Sequence, residues 1–217
     1  MNTLIFIDGG MSFATYEEYL TWLKKDYTEW CKNVWNPEPR KKWKHKVASQ
    51  WVNDGGVAYI PEMPCDLDAK YIEWKIVFES VMEKLSVRDN ITLIGHSLGG
   101  NFLLKYFGEI EKYDGNMQAD SQEQINLLFI QNIHLIAACI SEGDFTIPEN
   151  YDTLRSLGSK VHIWHAEDDM MVPFATGKQL KAELPEAVTH FFGSEKGYGH
   201  FSPLAVFPEF EDAIFSE

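Results

Sequence analysis

The chain alternates short apolar runs with longer stretches in which apolar residues recur at helical spacing. Six of the apolar runs are rich in β-branched residues and short enough for strands: residues 4–7, 57–60, 91–95, 134–140, 161–165 and 188–192. The helical stretches between them include residues 16–30, 69–85, 102–107 and 175–184. This alternation predicts an α/β fold of three layers, in which helices cover both faces of a doubly wound, mostly parallel six-stranded sheet.

The organisation of the chain favours a single domain. Its 217 residues are enough for one core of ordinary size, and no internal repeat or linker divides them. Residues 33–56 are long for a connection and contain Asn36-Pro37-Glu38-Pro39, so we predict a lid or an insertion there. Residues 113–124 are a second irregular stretch, polar enough for a surface loop.

The segment Gly95-His96-Ser97-Leu98-Gly99 directly follows the third predicted strand and precedes a helical stretch. This is the G-x-S-x-G nucleophile elbow, in which a serine stands on a tight turn between a strand and a helix. Side chains at the two glycine positions would collide with the neighbouring strand and helix. We therefore predict that Ser97 is a nucleophile and that the amide of Leu98, at the start of the helix, stabilises an oxyanion.

A serine hydroxyl is a weak nucleophile until a base removes its proton, and His200 is the best candidate for that base. It lies in Gly197-Tyr198-Gly199-His200-Phe201, after the last predicted strand, where glycines let a loop turn over the sheet edge. Hydrolases that carry this elbow order their residues as serine, acid and histidine along the chain. Five other histidines fit other roles better: His45, His96, His134, His162 and His190.

The acid of such a triad is expected after the fifth predicted strand, in a run of three acidic residues. Asp169 has the D-x-x-V-P spacing that often marks the triad aspartate, and Asp168 is one residue out of phase. Neighbouring side chains point in different directions, so only one of the two can reach His200. We favour Asp169 and keep Asp168 and Asp144, which follows the fourth predicted strand, as alternatives.

A second oxyanion donor is expected in the loop after the first strand, Asp8-Gly9-Gly10-Met11. The amide of Gly10 or of Met11 can serve, because glycines allow the backbone to approach a substrate closely. If the first strand lies beside the strand that leads to Ser97, this loop and the elbow diverge around a crevice. Open α/β sheets bind their ligands in such a crevice.

Composition removes several classes of function. The formal net charge of −14 repels phosphate-rich partners, so nucleic acid is not a predicted partner. No apolar run approaches the roughly 18 residues of a membrane span, and the three cysteines lack disulfide or zinc spacing. We expect a cytoplasmic protein without a metal or an organic cofactor. The basic run of residues 40–46 is a lid, an anion-binding patch or, as we prefer, a solvated helix face over Trp43.

Over most of its length the chain resembles the small serine hydrolases grouped with retinoblastoma-binding protein 9 and the bacterial YdeN-like proteins. The matching segments are the first strand with its glycine turn, Pro61-Glu62-Met63-Pro64 followed by Trp74, Gly95 to Gly99, Asp168 to Pro173 and Gly199-His200-Phe201. The resemblance implies a reduced α/β-hydrolase fold, carboxylesterase activity and a triad of Ser97, Asp169 and His200. Two departures are residues 33–56 and Asp8, which stands where many larger hydrolases have histidine. We expect Asp8 to cap its own turn by an Asx-type hydrogen bond.

Together these features predict acyl transfer from a small-molecule ester to water. The chain between residues 140 and 157 is short for a large cap, which favours short acyl groups. The same triad would serve a thioesterase or a peptidase, and a binding protein on a hydrolase scaffold is the alternative from another class. Apolar residues beside the catalytic loops are candidates for a substrate pocket: Phe13, Met63, Phe145, Met170 and Phe174.

Overall fold

The computed structural model describes residues 1–25, 42–86, 89–110, 127, 129–140, 143–147 and 150–215. Within these ranges, six strands form one sheet in the order β2-β1-β3-β4-β5-β6, and every neighbouring pair is parallel. The strands are β1 (Asn2–Ile7), β2 (Val57–Tyr59), β3 (Asn90–His96), β4 (Ile130–Ile136), β5 (Val161–Ala166) and β6 (Val188–Phe192). The predicted six-stranded α/β architecture is confirmed.

Helices cover both faces of this sheet. They are α1 (Tyr16–Lys25), α2 (Trp43–Asn53), α3 (Tyr71–Met82), α4 (Leu98–Glu109), α5 (Asp152–Leu157), α6 (Phe174–Glu183) and α7 (Pro208–Phe215). Helices α3 to α6 share one hydrophobic core with the sheet, and α2 and α7 share the other. Helix α1 buries none of its residues. No helix in the described part of the chain has the length and apolar character needed to cross a membrane.

Strand β1 shows how the sequence pattern produces the two cores. Its side chains alternate, so Ile5 and Ile7 join the core beneath α3 and α4, whereas Leu4 and Phe6 join the core beneath α2 and α7. A central parallel strand covered on both faces needs apolar residues at every position. This explains why residues 4–7 of β1 form an unbroken apolar run.

Helix α2 occupies the C-terminal part of the segment predicted as a lid or insertion. Trp43 is 2% exposed, and its ring centroid lies 5.5 Å from that of Phe6 and 5.2 Å from that of Phe210. Lys46 is exposed and forms an ion pair with Glu211. Residues 43–53 are therefore an integral part of one helical layer, with Trp43 beneath a solvated basic face. Residues 33–41 and 113–124 lie outside the described residues, and a lid at residues 33–41 stays a prediction.

Strand β4 lies about four residues earlier than the predicted run of residues 134–140. The chain leaves the sheet at Ala137, whose φ is +46° and whose amide donates to the carbonyl of Trp164. The next residue, Ala138, packs against Gly100 of the elbow helix. The apolar character of residues 137–140 thus reflects packing into the two hydrophobic cores, with Ala138 beside the elbow, while the polar Gln131 and Asn132 obscured the true start of the strand.

Three histidines of adjacent strands pack against one another beneath α7. His162 Nδ1 lies 3.1 Å from His190 Nε2, and the ring centroids of His134 and His162 are 4.6 Å apart. The Trp164 indole donates to His134 Nδ1 at 3.2 Å. Burial, reinforced by the neighbouring histidines, lowers the pKa of His134 far below its usual value and that of His190 to about 4. These histidines are structural, as their positions in strands predicted.

We expect the free energy of unfolding to fall as the pH is lowered from about 6.5 towards about 4. In this window the unfolded chain protonates His134 and His190 while the folded protein keeps these two histidines neutral, at a cost of up to about 1.4 kcal/mol per pH unit for each. Above pH 6.5 they are neutral in both states and make no contribution. Urea unfolding at pH 7, 5.5 and 4.5 measures the effect. His190→Gln should flatten the dependence, and an unchanged curve would contradict this account.

Candidate active site

Ser97 stands at the top of the elbow between β3 and α4, in a backbone conformation that few residues other than glycine adopt. Its φ is +54° and its ψ −121°, at a cost on the order of 1–3 kcal/mol that the surrounding fold must offset. Its amide donates to the carbonyl of Ile136 at 2.8 Å. Gly99 packs so closely that a Cβ there would stand 2.2 Å from the carbonyl oxygen of Ile7. Main-chain contacts with β1 and β4 therefore lock the elbow at the carboxyl edge of the sheet.

The loop after β1 lies directly against Ser97. Strand β1 pairs with β3, and a Cβ added to Gly9 would stand 3.1 Å from Ser97 Cβ and 3.5 Å from its Oγ. The amide of Met11 already donates to the carbonyl of Asp66 at 2.8 Å. Within the described part of the chain, the amide of Gly10 donates to no other group. Of the two oxyanion donors predicted in this loop, Gly10 is therefore the better candidate, because its amide is not engaged by another group in the described part of the chain.

His200 and Asp169 are directly paired. His200 Nδ1 lies 2.9 Å from Oδ2 and 3.1 Å from Oδ1 of Asp169, whose side chain has no exposed surface. The amides of Met171 and Val172 donate to Oδ1 at 2.8 and 2.9 Å. Burial by itself would raise the pKa of Asp169, but the hydrogen bonds from His200 and the two amides outweigh it and lower that pKa. An ionised carboxylate thus holds Nδ1–H, and Nε2 is the nitrogen left to act as a base.

The two alternative acids have other partners. Asp168 Oδ2 accepts the amide of Gly199 at 3.1 Å, so Asp168 holds the loop one residue before the histidine. Asp144 accepts the amide of Tyr71 at 2.8 Å and takes no part in this pair. Of the three carboxylates considered from the sequence, Asp169 is the one in contact with His200. In the described ranges, no group of three or more His, Cys, Asp or Glu side chains is arranged to hold a metal ion.

His96 brings the elbow and the histidine loop together. Its Nε2 lies 2.8 Å from the backbone oxygen of His200, and the two imidazole centroids are 4.9 Å apart. Among the described residues no hydrogen bond joins the Ser97 hydroxyl to His200. In unliganded enzymes this contact is often long and tightens when the substrate binds. The side chain of His200 is 14% exposed, so a substrate can reach it.

Asp8 does not cap its own turn, contrary to the expectation from sequence. It forms an ion pair with Lys44 of α2, and its Oδ1 lies 3.4 Å from His96 Nδ1. Sequence reasoning missed this network because Lys44 lies 36 residues from Asp8 in a segment that resembles an insertion. The only signal was the position of Lys44 in the basic run, next to the apolar Trp43.

Two of the five predicted pocket residues belong to the main core. Phe145 is fully buried, with its ring centroid 5.8 Å from that of Tyr71 and 5.1 Å from that of Trp74. The prediction of a substrate contact is therefore wrong for Phe145, because packing with these aromatic rings explains its apolar character. Met63 is partly buried against the same core.

The other three predicted pocket residues reach the surface to different degrees. Met170, next to the acid, is 93% exposed. Phe174 is half-buried, with its ring centroid 5.1 Å from that of Phe191. Phe13 is half-buried and lines a groove of about 660 Å³ together with Trp22 of α1. These three residues remain candidates for substrate contacts.

The fold is identified by its similarity to solved structures. No family model matches the chain, and no curated protein matches it in sequence. The ydeN gene product of B. subtilis is 17% identical, and the alignment covers 100% of this chain and 98% of that protein with a TM-score of 0.68. Also similar are a YdeN-like hydrolase of Pectobacterium atrosepticum (12% identical, 97% and 92% covered, TM-score 0.52) and a methylesterase of Arabidopsis (9% identical, 100% and 98% covered, TM-score 0.61). The resemblance seen in the sequence is confirmed at the level of the fold, and the chain adopts the α/β-hydrolase fold of the YdeN-like hydrolases.

Proposed function

We propose that this protein is a serine hydrolase that cleaves small carboxylic esters through an acyl-enzyme intermediate. The observation that carries the proposal is the buried Asp169 carboxylate paired with His200 at 2.9 Å, on a loop that contacts the elbow of Ser97. Packing alone gives no reason for a strained serine, a buried carboxylate and an accessible histidine to meet at one sheet edge. Such a combination is typical of nucleophilic catalysis.

The first half of the reaction transfers the acyl group to the enzyme. His200 Nε2 accepts the hydroxyl proton of Ser97 while Oγ bonds to the ester carbonyl carbon. The negative charge that develops on the carbonyl oxygen is stabilised by the amides of Gly10 and Leu98. The amide of Leu98 is suited to this role because the first amides of a helix have no partner within it. His200 then donates its proton to the departing alkoxide as the tetrahedral intermediate collapses.

The second half returns the enzyme to its starting state. Water gives a proton to His200 Nε2 and attacks the acyl carbon, and the new intermediate expels Ser97 Oγ, which regains a proton from His200. Throughout, Asp169 holds Nδ1–H and stabilises the transient imidazolium. Because the amides of Met171 and Val172 fix its Oδ1, the carboxylate keeps one orientation through both halves.

The region after β4 supports a preference for short acyl groups. The described residues there form a single 3₁₀ turn (Gly143–Phe145) and the short helix α5, and Phe145 and Leu154 are buried in the core. These residues pack into the body of the protein and contribute no cap over Ser97. A long acyl chain would therefore have little apolar cover from this side.

Labelling with a fluorophosphonate probe tests the proposed function. We expect the wild-type protein to be labelled at Ser97 and to hydrolyse p-nitrophenyl acetate or butyrate faster than the longer esters of the series. Acyl thioesters and peptides are assayed in parallel, and a higher kcat/KM on either would replace the ester assignment with a thioesterase or a peptidase. A folded protein that is neither labelled nor active would identify a binding protein on a hydrolase scaffold.

A further inference from the structure

We propose that His96, the residue before the nucleophile, is a positioning residue that holds the His200 loop in its catalytic place, and that Lys44, by pairing with Asp8, keeps His96 in the required hydrogen-bonded form. The inference rests on the proposed function, because it assigns a role within the same site. It goes beyond the triad, since the G-x-S-x-G pattern places no demand on the identity of residue 96.

The contacts of His96 link three separate segments. The side chain is 6% exposed at the end of β3, with Nε2 on the backbone oxygen of His200 and Nδ1 towards Asp8 at the end of β1. Asp8 is in turn paired with Lys44 from α2. Since β1 and β3 lie at the rigid centre of the sheet, the contacts of His96 fix the His200 loop relative to these two strands.

The hydrogen position on His96 follows from its partners. A carbonyl oxygen can only accept, so the contact with His200 requires the hydrogen on Nε2. Burial lowers the pKa of His96 to about 4, so the ring is neutral and Nδ1 carries a lone pair. That lone pair faces the negatively charged Asp8 carboxylate, and the two repel each other. Lys44 weakens this repulsion, because its ammonium group offsets the charge of Asp8. Without Lys44, Asp8 would favour the hydrogen on Nδ1, and the bond to His200 would be lost.

The backbone of the His200 loop adopts an unfavourable conformation, so the loop depends on contacts such as the one with His96. Its φ is +64° at Gly197, +51° at Gly199 and +60° at Phe201, and left-handed backbone is unfavourable for a residue as bulky as phenylalanine. Phe201 is held from one side, because its ring is buried and the indole of Trp43 donates to its carbonyl at 3.0 Å. His96 provides the corresponding hydrogen bond to the backbone of His200, whose ring is the proposed base.

The test compares His96→Leu with His96→Gln on p-nitrophenyl acetate, with kcat normalised to active sites counted by fluorophosphonate. Leucine keeps apolar bulk but removes the N–H group, and we expect kcat to fall by about 10- to 100-fold with KM changed less than about twofold. Glutamine can place an amide N–H near the position of Nε2, and we expect kcat within about fivefold of the wild type. His134→Leu is the matched control, because it removes another buried histidine: we expect lower thermal stability and kcat within about twofold of the wild type.

The charges beside His96 are tested separately. Lys44→Gln leaves Asp8 unpaired, and we expect kcat to fall by at least about fivefold. Combining it with Asp8→Asn removes the carboxylate that competes for the hydrogen, so the double variant should recover more than about half of the lost activity. If the losses of kcat in Lys44→Gln and in Asp8→Asn, measured separately, simply add in the double variant, the assigned role of Asp8 and Lys44 is wrong.

The outcomes separate this inference from the proposed function. An active wild type with an unaffected His96→Leu variant overturns the inference alone. Equal losses in the leucine and glutamine variants, or a loss matched by His134→Leu, would assign the effect to packing and also overturn it. A wild-type protein that is folded but neither labelled nor active removes the proposed function, and the inference with it.

Discussion

Replacement of Ser97 by alanine is expected to lower kcat by a factor on the order of 10⁶, to the residual level that oxyanion stabilisation and binding alone provide. The change removes the oxygen that forms the acyl-enzyme and leaves the rest of the elbow intact. Alanine has a Cβ, so the strain at φ +54° is retained and the turn is not relaxed as it would be with glycine. Stopped assays on p-nitrophenyl acetate at high enzyme concentration measure the loss.

The control for this prediction is Ser80→Ala. Ser80 lies on α3, where its hydroxyl donates to the carbonyl of Ile76, and it is exposed. Its removal should leave kcat and fluorophosphonate labelling unchanged. Activity in Ser97→Ala above about a hundredth of the wild-type value would show that another group attacks the substrate, and the mechanism would have to be abandoned.

Asp169→Asn is expected to lower kcat by about 10⁴-fold with a modest change in KM. The geometry explains the size of the effect. Oδ1 is held by two backbone amides, so the oxygen of asparagine would keep that place and its NH₂ group would face His200 Nδ1. An N–H donor there requires a lone pair on Nδ1 and so moves the hydrogen to Nε2. His200 could then no longer accept the proton of Ser97.

Asp168→Asn is the matched control for this variant, at the neighbouring acid. Its side-chain oxygen can still accept the amide of Gly199, so we expect kcat to fall less than about tenfold. The pair of variants decides between the two aspartates that the sequence left in competition. If Asp168→Asn were the more damaging, the acid would be misassigned, whatever the contact distances suggest.

Much of the fold and the centre of the site could be predicted from the sequence, because both rest on local constraints. The unbroken apolar run of β1 follows from burial on both faces, and the glycines around Ser97 follow from a turn that admits no side chain. The order of serine, acid and histidine then pointed to Asp169 and His200, which lie in contact in the structure.

What could not be predicted depends on contacts between distant segments. An apolar residue near a catalytic loop can face the substrate or the core, and only the fold shows that Phe145 packs among aromatic rings. The apolar residues 137–140 pack into the two hydrophobic cores, with Ala138 against Gly100, and do not extend β4. Asp8 was assigned to its own turn because its partner Lys44 lies on a helix whose position the sequence did not give.

The close fit of Gly99 against the carbonyl of Ile7 has a consequence for how such an enzyme can change. In the proposed hydrolase the attacking oxygen is placed by backbone atoms, which are common to every sequence, whereas selectivity would depend on candidate pocket side chains such as Phe13 and Met170. In the proposed hydrolase, exchanging those side chains is expected to change substrate selectivity without disturbing the elbow of Ser97. Reactivity and substrate choice are thus free to evolve, or to be engineered, independently.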